Sequence, residues 1–256
     1  RHIQQWLKAG VLEDEVVRQS GEGTPQGGCI SPLLCNIYLH YVLDLWIDQW
    51  RSKQAKGDVI VVRYADDFVI GFQSETEARR CLNELRERLA AFSLELHPEK
   101  TRLIEFGRFA AANRKQQGKG KPETFDFLGL THFCDKTRTN GRFIVGRKTQ
   151  SKRMRAKLQE IKAELRRRMH APVPETGRWL RSVVQGYYNY HAVPRNLPMM
   201  KRFTRAALRY WWKSLRRRSH KSNCDWKRFY TRLARRWMPV LRVMHPYPEH
   251  RLCVTT

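Results

Sequence analysis

Two aspartates, Asp66 and Asp67, stand side by side in VIVVRYADDFVIGF (residues 59–72), the most β-prone apolar stretch of the chain. Adjacent carboxylates repel each other, and burying one without a partner costs several kcal/mol or forces it to take up a proton. Three arrangements relieve the conflict. A basic side chain can neutralise the pair, with Arg63 the nearest. The acids can sit at an exposed hairpin turn, where Asp is a favoured residue. Or they can bind a divalent cation, since hard oxygens bent toward one space suit Mg²⁺.

A turn that presents two acids needs strands to hold it. Val59 to Tyr64 and Phe68 to Phe72 read as an antiparallel pair with Ala65 to Asp67 between them. Upstream, Ser31 as N-cap and Pro32 at the first helical position begin a helix that runs to about Trp50. Its early residues Leu33, Leu34, Ile37, Tyr38 and Leu39 are apolar nearly all round, which predicts burial. Ser74 and Glu77 have capping-box spacing, and Ala78, Leu82, Leu85, Leu89 and Phe92 follow at the period of an amphipathic helix. TRLIEF (101–106) reads as a strand, residues 107–124 as a polar loop without periodicity, and FDFLGLTHF and GRFIVG as two further strands. This order describes an α+β domain with helices packed on an antiparallel sheet.

After Lys148 the periodicity is helical only. Ser151 can cap a helix with Met154, Leu158, Ile161, Leu165 and Met169 on one face, and more helices carry Trp179, Val183 and Tyr187, then Phe203, Ala207, Tyr210 and Trp211, then Trp226, Phe229, Leu233 and Trp237. These stripes read as core rather than as base-stacking platforms. Charge changes at the same place. Residues 1–146 hold 21 Lys and Arg against 19 Asp and Glu, whereas residues 147–256 hold 29 against 5. A segment so one-sided repels itself unless a polyanion neutralises it, and nucleic acid fits better than an anionic membrane because these helices lack a wholly apolar face. The domain boundary is therefore expected at residues 146/147.

The 256 residues contain no apolar run near the ~20 needed to cross a bilayer and no secretory leader, so a cytoplasmic protein with no membrane partner is expected. Six cysteines (29, 35, 81, 134, 224 and 253) form no CxxC pair, which suits free thiols in a reducing compartment. Neither His220 with Cys224 nor His250 with Cys253 has the spacing of a zinc finger.

In order, GTPQGGCISPLLCNIYL, RYADDFVI, LHPEKTRLI and FLGL resemble the later palm motifs of a reverse transcriptase, specifically a bacterial group II intron-encoded protein. Downstream, GYYNYHAVPRN and WKRFYTRLARRWMPVLRVMHPYP resemble that family's thumb and maturase region. The resemblance implies a partial palm followed by an all-helical basic thumb/maturase domain. It implies that Asp66, supported by Asp67, holds two Mg²⁺ ions for in-line phosphoryl transfer. Tyr64 would pack by the primer end, and Phe127, Leu128 and Gly129 would form the primer grip. Pro25, Gln26 and Gly27 would lie under the nascent base pair, where glycine lets the backbone approach closely. Lys100 resembles a lysine near the departing pyrophosphate and a proton donor, although a surface lysine ahead of a strand reads equally well. The basic helices, through Lys152, Arg153, Lys157, Arg166, Arg167, Arg216, Arg217 and Arg218, would bind intron RNA.

The family carries a third metal-binding Asp on a hydrophobic strand upstream of the PQG loop. No such strand precedes Gly21, and Asp14 in LEDEVV lies too near the loop. The expectation is a C-terminal portion of a longer enzyme, inactive alone, whose Mg²⁺ site is completed by an Asp outside this chain. The expected function is RNA-directed DNA polymerase acting on an RNA template, a DNA primer and dNTPs, with maturase assistance to splicing of the intron RNA. Two alternatives stand beside it: a maturase without polymerase activity, and a retron or CRISPR-associated reverse transcriptase, which the GYYNY and HPYP stretches disfavour.

Overall fold

The computed structural model of the chain describes residues 11–13, 16–18, 30–137, 139–218 and 225–247. It is a mixed α+β structure in two compact units, which divide after Leu103. The charge and periodicity change at residue 147 is therefore not where the compact units part. The β-strands between residues 125 and 149 pack with the basic helices, as the bonds below show.

The first unit opens with the antiparallel pair β1 (Val11–Glu13) and β2 (Val16–Arg18). Next come α1 (Ser31–Leu39), a π-helical turn (His40–Asp44) and α2 (Leu45–Gln54), continuous in sequence. Pro32 lies in the first turn, where its missing N–H would have had no partner. Ser31 is already helical, Ile30 occupies the cap position, and no side chain caps it. One face of this segment, with Val42, Leu43, Ile47 and Trp50, is buried. Burial of the early turns holds at Leu39 but not at Leu33, Ile37 and Tyr38; Leu33 and Ile37 are 54% and 46% exposed, because the apolar clusters of the described residues take in only the later turns.

β3 (Val59–Tyr64) and β4 (Asp67–Phe72) form the expected hairpin, paired from Val59↔Phe72 to Tyr64↔Asp67, so Asp67 is a strand residue and the turn is Ala65–Asp66. α3 (Glu75–Ala90) buries Ala78, Cys81, Leu85 and Leu89 against the earlier helices and the hairpin. Cys81 takes the central place that the spacing gave to Leu82, and burial pushes its thiol pKa up to about 12. The capping box does not form. Ser74 bonds Thr76 and Glu77 accepts from the Lys56 N–H, while Ser74 keeps the extended backbone of an N-cap.

Residues 101–106, which straddle the division between the units, are not a strand. The polar stretch contains α4 (Ala110–Gln116), started by three consecutive alanines, the best helix formers. FDFLGLTHF folds into two strands rather than one, β5 (Phe125–Phe127) and β6 (Leu130–Lys136), and β7 (Phe143–Thr149) completes the antiparallel order β5-β6-β7. The chain thus has small separate sheets among the described residues, not one continuous sheet.

The basic helices follow: α5 (Ser151–Arg167), α6 (Val173–His191), α7 (Leu197–Arg216), then α8 (Trp226–Phe229), a π turn (Tyr230–Ala234) and α9 (Arg235–Trp237). The apolar stripes meet in one core, with Leu165, Leu180, Val184, Phe203, Trp211 and Phe229 at 1% exposure or less. Buried Asn196 ties β7 to this core: its Oδ1 accepts from the Thr149 N–H at 3.0 Å, and its Nδ2 donates to Thr149 Oγ1 and the His191 carbonyl, each at 2.7 Å. Among the described residues no helix is long and apolar enough to cross a membrane.

Candidate metal-binding turn and nucleic-acid interface

Strand alternation decides what each side chain of the β3–β4 hairpin does. Val59, Val61 and Arg63 turn toward the helices, while Ile60, Val62 and Tyr64 face out. Arg63 therefore points away from the acids and into the fold. Its Nε and Nη2 donate to the two carboxylate oxygens of Asp44 at 2.7 and 2.6 Å. Its Nη1 donates to Asn36 Oδ1 at 2.9 Å and to the Ala65 carbonyl at 2.8 Å. The hydrogen bonds and charge of Arg63 hold the Asp44 carboxyl below the usual carboxylate range against the opposing effect of burial. Arg63 is thus committed to Asp44 and does not neutralise Asp66 or Asp67.

Asp66 and Asp67 are both exposed, and among the described residues their carboxylates accept no hydrogen bond and join no ion pair. Of the three arrangements open from the sequence, neutralisation by Arg63 is excluded. Two solvated, partnerless carboxylates on a braced turn remain, and their donor set fits Mg²⁺, which takes one or two carboxylates and completes its octahedron with water and substrate phosphate. No group of three or more His, Cys, Asp or Glu among the described residues forms a closed metal cage. Tyr64, 65% exposed, stands on the same outer face opposite Asp67.

Lys100 is exposed in a turn whose N–H bonds the His97 carbonyl, on a different element from the acids. Pro25, Gln26 and Gly27, like Asp14, lie outside the described residues.

In the second unit, Phe127, Leu128 and Gly129 form the β5–β6 turn, with Leu128 at φ 48° and Gly129 at φ 74°. Two successive positive φ values mark a type I′ connection, whose twist matches that of the flanking strands. The turn is held from outside: Tyr190 of the GYYNY stretch donates its hydroxyl to the Leu128 carbonyl at 2.9 Å, and the Gln150 N–H bonds the Gly129 carbonyl at 3.2 Å. A Cβ on Gly129 would come within 3.0 Å of Arg153 Nη1, so glycine lets this guanidinium lie against the turn.

The named basic residues are not equivalent. Lys152, Arg153, Arg166 and Arg217 are exposed, and no ion pair among the described residues occupies them. Lys157 pairs with Glu160 and Arg167 with Glu164, at 2.7 and 2.9 Å. Arg216 lies over the Trp212 ring, 5.0 Å from its centroid. Arg218 is half-buried and donates to the Ala171 carbonyl at 2.8 Å, a structural contact that burial accompanies by lowering its pKa. The roles of Asp44, Asn36 and Tyr190 were not read from the sequence. The available signal was the period of β3, which puts a cation on the packed face with Val59 and Val61 and so demands a buried acid.

A family model described as reverse transcriptase (RNA-dependent DNA polymerase) matches residues 2–132, just over half of the 256. The chain belongs to the reverse transcriptase family. It is similar to the group II intron-encoded protein LtrA of Lactococcus lactis subsp. cremoris, 51% identical over 51 residues that cover 20% of this chain and 8% of that protein. It is also similar to protein YkfC of Escherichia coli strain K12, 37% identical over 38% of this chain and 32% of that protein. The matched stretches thus span less than a tenth and about a third of these relatives. The likeness to the intron-encoded protein bears out the group II resemblance read from the motif order.

Proposed function

We propose that this chain contributes the metal-binding turn, a primer-facing turn and an RNA-binding helical region to an RNA-directed DNA polymerase of a group II intron, which also assists splicing of that intron's RNA. The observation that carries the reading is the pair of adjacent, exposed, partnerless carboxylates on a braced hairpin turn in a chain of the reverse transcriptase family. Asp66 and Asp67 would hold Mg²⁺, which when bound supplies charge stabilisation to phosphoryl transfer between the primer end and a dNTP. Tyr64 would present an aromatic face to the primer terminus, and the Phe127–Gly129 turn would grip the primer backbone. Lys100 is assigned to the pyrophosphate side, and Pro25, Gln26 and Gly27 to the template and incoming nucleotide. The site of action would be the bacterial cytoplasm.

The test is primer extension on an RNA template at millimolar Mg²⁺ by a polymerase-competent polypeptide containing this chain. Asp66→Ala should lower the rate by more than ~10³, equivalent to several kcal/mol of barrier, while RNA affinity stays within about twofold. Full extension by the variant would refute the assignment.

The basic charge of residues 147–256 favours a second activity in the same protein, the grip on intron RNA. Its signature is salt: log K should fall against log salt by roughly 0.7 to 0.9 per phosphate neutralised. A slope below about two would leave most of these cations facing solvent. Retained RNA binding without extension in the unaltered protein would favour the maturase reading alone.

A further inference from the structure

We propose that Arg63 is a positioning residue for the cation-binding turn: by holding the Ala65 carbonyl, it sets the direction from which Asp66 and Asp67 present their carboxylates. The inference rests on the reading that this turn holds Mg²⁺. It adds a residue to that site that touches neither metal nor substrate.

The argument begins with the peptide plane. The Ala65 carbonyl and the Asp66 Cα belong to one planar unit, so fixing the oxygen fixes the root of the Asp66 side chain. Ala65 holds φ 54° without being glycine, a conformation that costs a residue with a Cβ roughly 1–2 kcal/mol and persists only when its surroundings impose it. The donor that meets this carbonyl is Arg63 Nη1, at 2.8 Å. The same rigid guanidinium is gripped at its other edge by both oxygens of Asp44, Nη1 itself also donates to Asn36 Oδ1, and the side chain is 14% exposed. A planar fork with its other donors immobilised cannot swing, so the helical segment that carries Asn36 and Asp44 sets where the turn sits.

Charge alone gives the opposite expectation. A cation three residues from Asp66 and four from Asp67 disfavours a second cation there, so removing it should tighten metal binding if Arg63 acts only through its field. Positioning predicts weakening.

The test uses the 256-residue chain and Mn²⁺, a paramagnetic ion that shares with Mg²⁺ a preference for octahedral oxygen sites. Broadening of the Ala65, Asp66 and Asp67 backbone amide signals is followed as Mn²⁺ is added. Arg63→Gln should raise the half-saturating concentration about tenfold, the low end for loss of an outer-shell partner. Arg63→Lys, which keeps the charge and loses the fork, should raise it as well. Asn36→Ala changes no charge on an exposed helix face and keeps the test open if Arg63→Gln unfolds the hairpin. It should weaken binding by about two- to threefold. Unchanged or tighter Mn²⁺ binding in folded Arg63→Gln or Asn36→Ala overturns the positioning role while leaving the metal reading intact. No selective broadening in the unaltered chain overturns both.

Discussion

At Ala65 and again at Leu128 a residue with a Cβ takes the left-handed backbone region, φ 54° and 48°, at the first position of a two-residue hairpin turn. In each case a side chain holds that residue's carbonyl. The means differ. The first turn is held by a guanidinium two residues away, whose charge is neutralised by a carboxylate on a helix. The second is held by a neutral phenol 62 residues away and by a backbone N–H from the start of the basic helices. A turn that must display bare acids is braced by a pre-neutralised cation, which adds little field of its own. The second turn displays no acid and needs no such balance, and Arg153 can lie against it with its charge uncompensated.

Acid should separate the two turns most. His191 lies under the second turn's support, 8% exposed and 4.4 Å from the Tyr187 ring, and burial followed by the charge of Arg153 lowers its pKa to about 4. Its folded pKa is depressed, so the unfolded chain binds more protons between about pH 6.5 and 4, and stability falls as pH drops through that window. The loss should reach about 3 kcal/mol, read as faster amide exchange across residues 185–200, and His191→Gln should flatten it. Asp44 behaves differently. Its depressed carboxyl keeps the first turn braced down to about pH 4, and that brace weakens only below it. Simultaneous loosening of both turns near pH 5 would remove the distinction.

Arg63→Gln comes next. Loss of charged hydrogen bonds at a mostly buried site should cost about 2 kcal/mol, seen as exchange of the β3 and β4 amides. Tyr190→Phe removes one neutral bond and should cost about 1 kcal/mol, confined to residues 125–132. A larger effect from Tyr190→Phe than from Arg63→Gln would reverse the ranking of the two braces. Salt gives the smallest effect. At about 0.5 M the first brace should lose a few tenths of a kcal/mol and the second nothing measurable, because only the first is ionic and its charges are partly shielded from solvent.

Periodicity revealed the elements with strong, local signals. The β3–β4 hairpin, α3 and the basic helices lie where alternation and 3.6-residue spacing put them. Where the reading failed, non-local packing or a competing local preference decided. Leu33 and Ile37 look like core in sequence and are exposed, because a helix face is buried only where another element reaches it. Ser74 and Glu77 have capping-box spacing, yet each finds another partner, Thr76 and the Lys56 N–H. The exposed acids Asp66 and Asp67 were visible as an adjacent pair. Their support was not, since Arg63 finds Asp44 and Asn36 at 19 and 27 residues' remove and no spacing rule links them.

The π-helical turn at His40–Asp44 gives this support its phase. In a regular α-helix, residues 36 and 44 would be offset by about 80° around the axis, too far to face one guanidinium together. A π turn takes in about one extra residue, so eight residues close on two full turns and Asn36 stands almost directly above Asp44. The segment works as a vernier: one surplus residue aligns two side chains that the ordinary pitch would leave out of step. Deleting a single residue between 40 and 43 removes that surplus: the two anchors are then seven residues apart, within about 20° of two full α-helical turns, so the segment should relax to a regular α-helix and Arg63 should keep both.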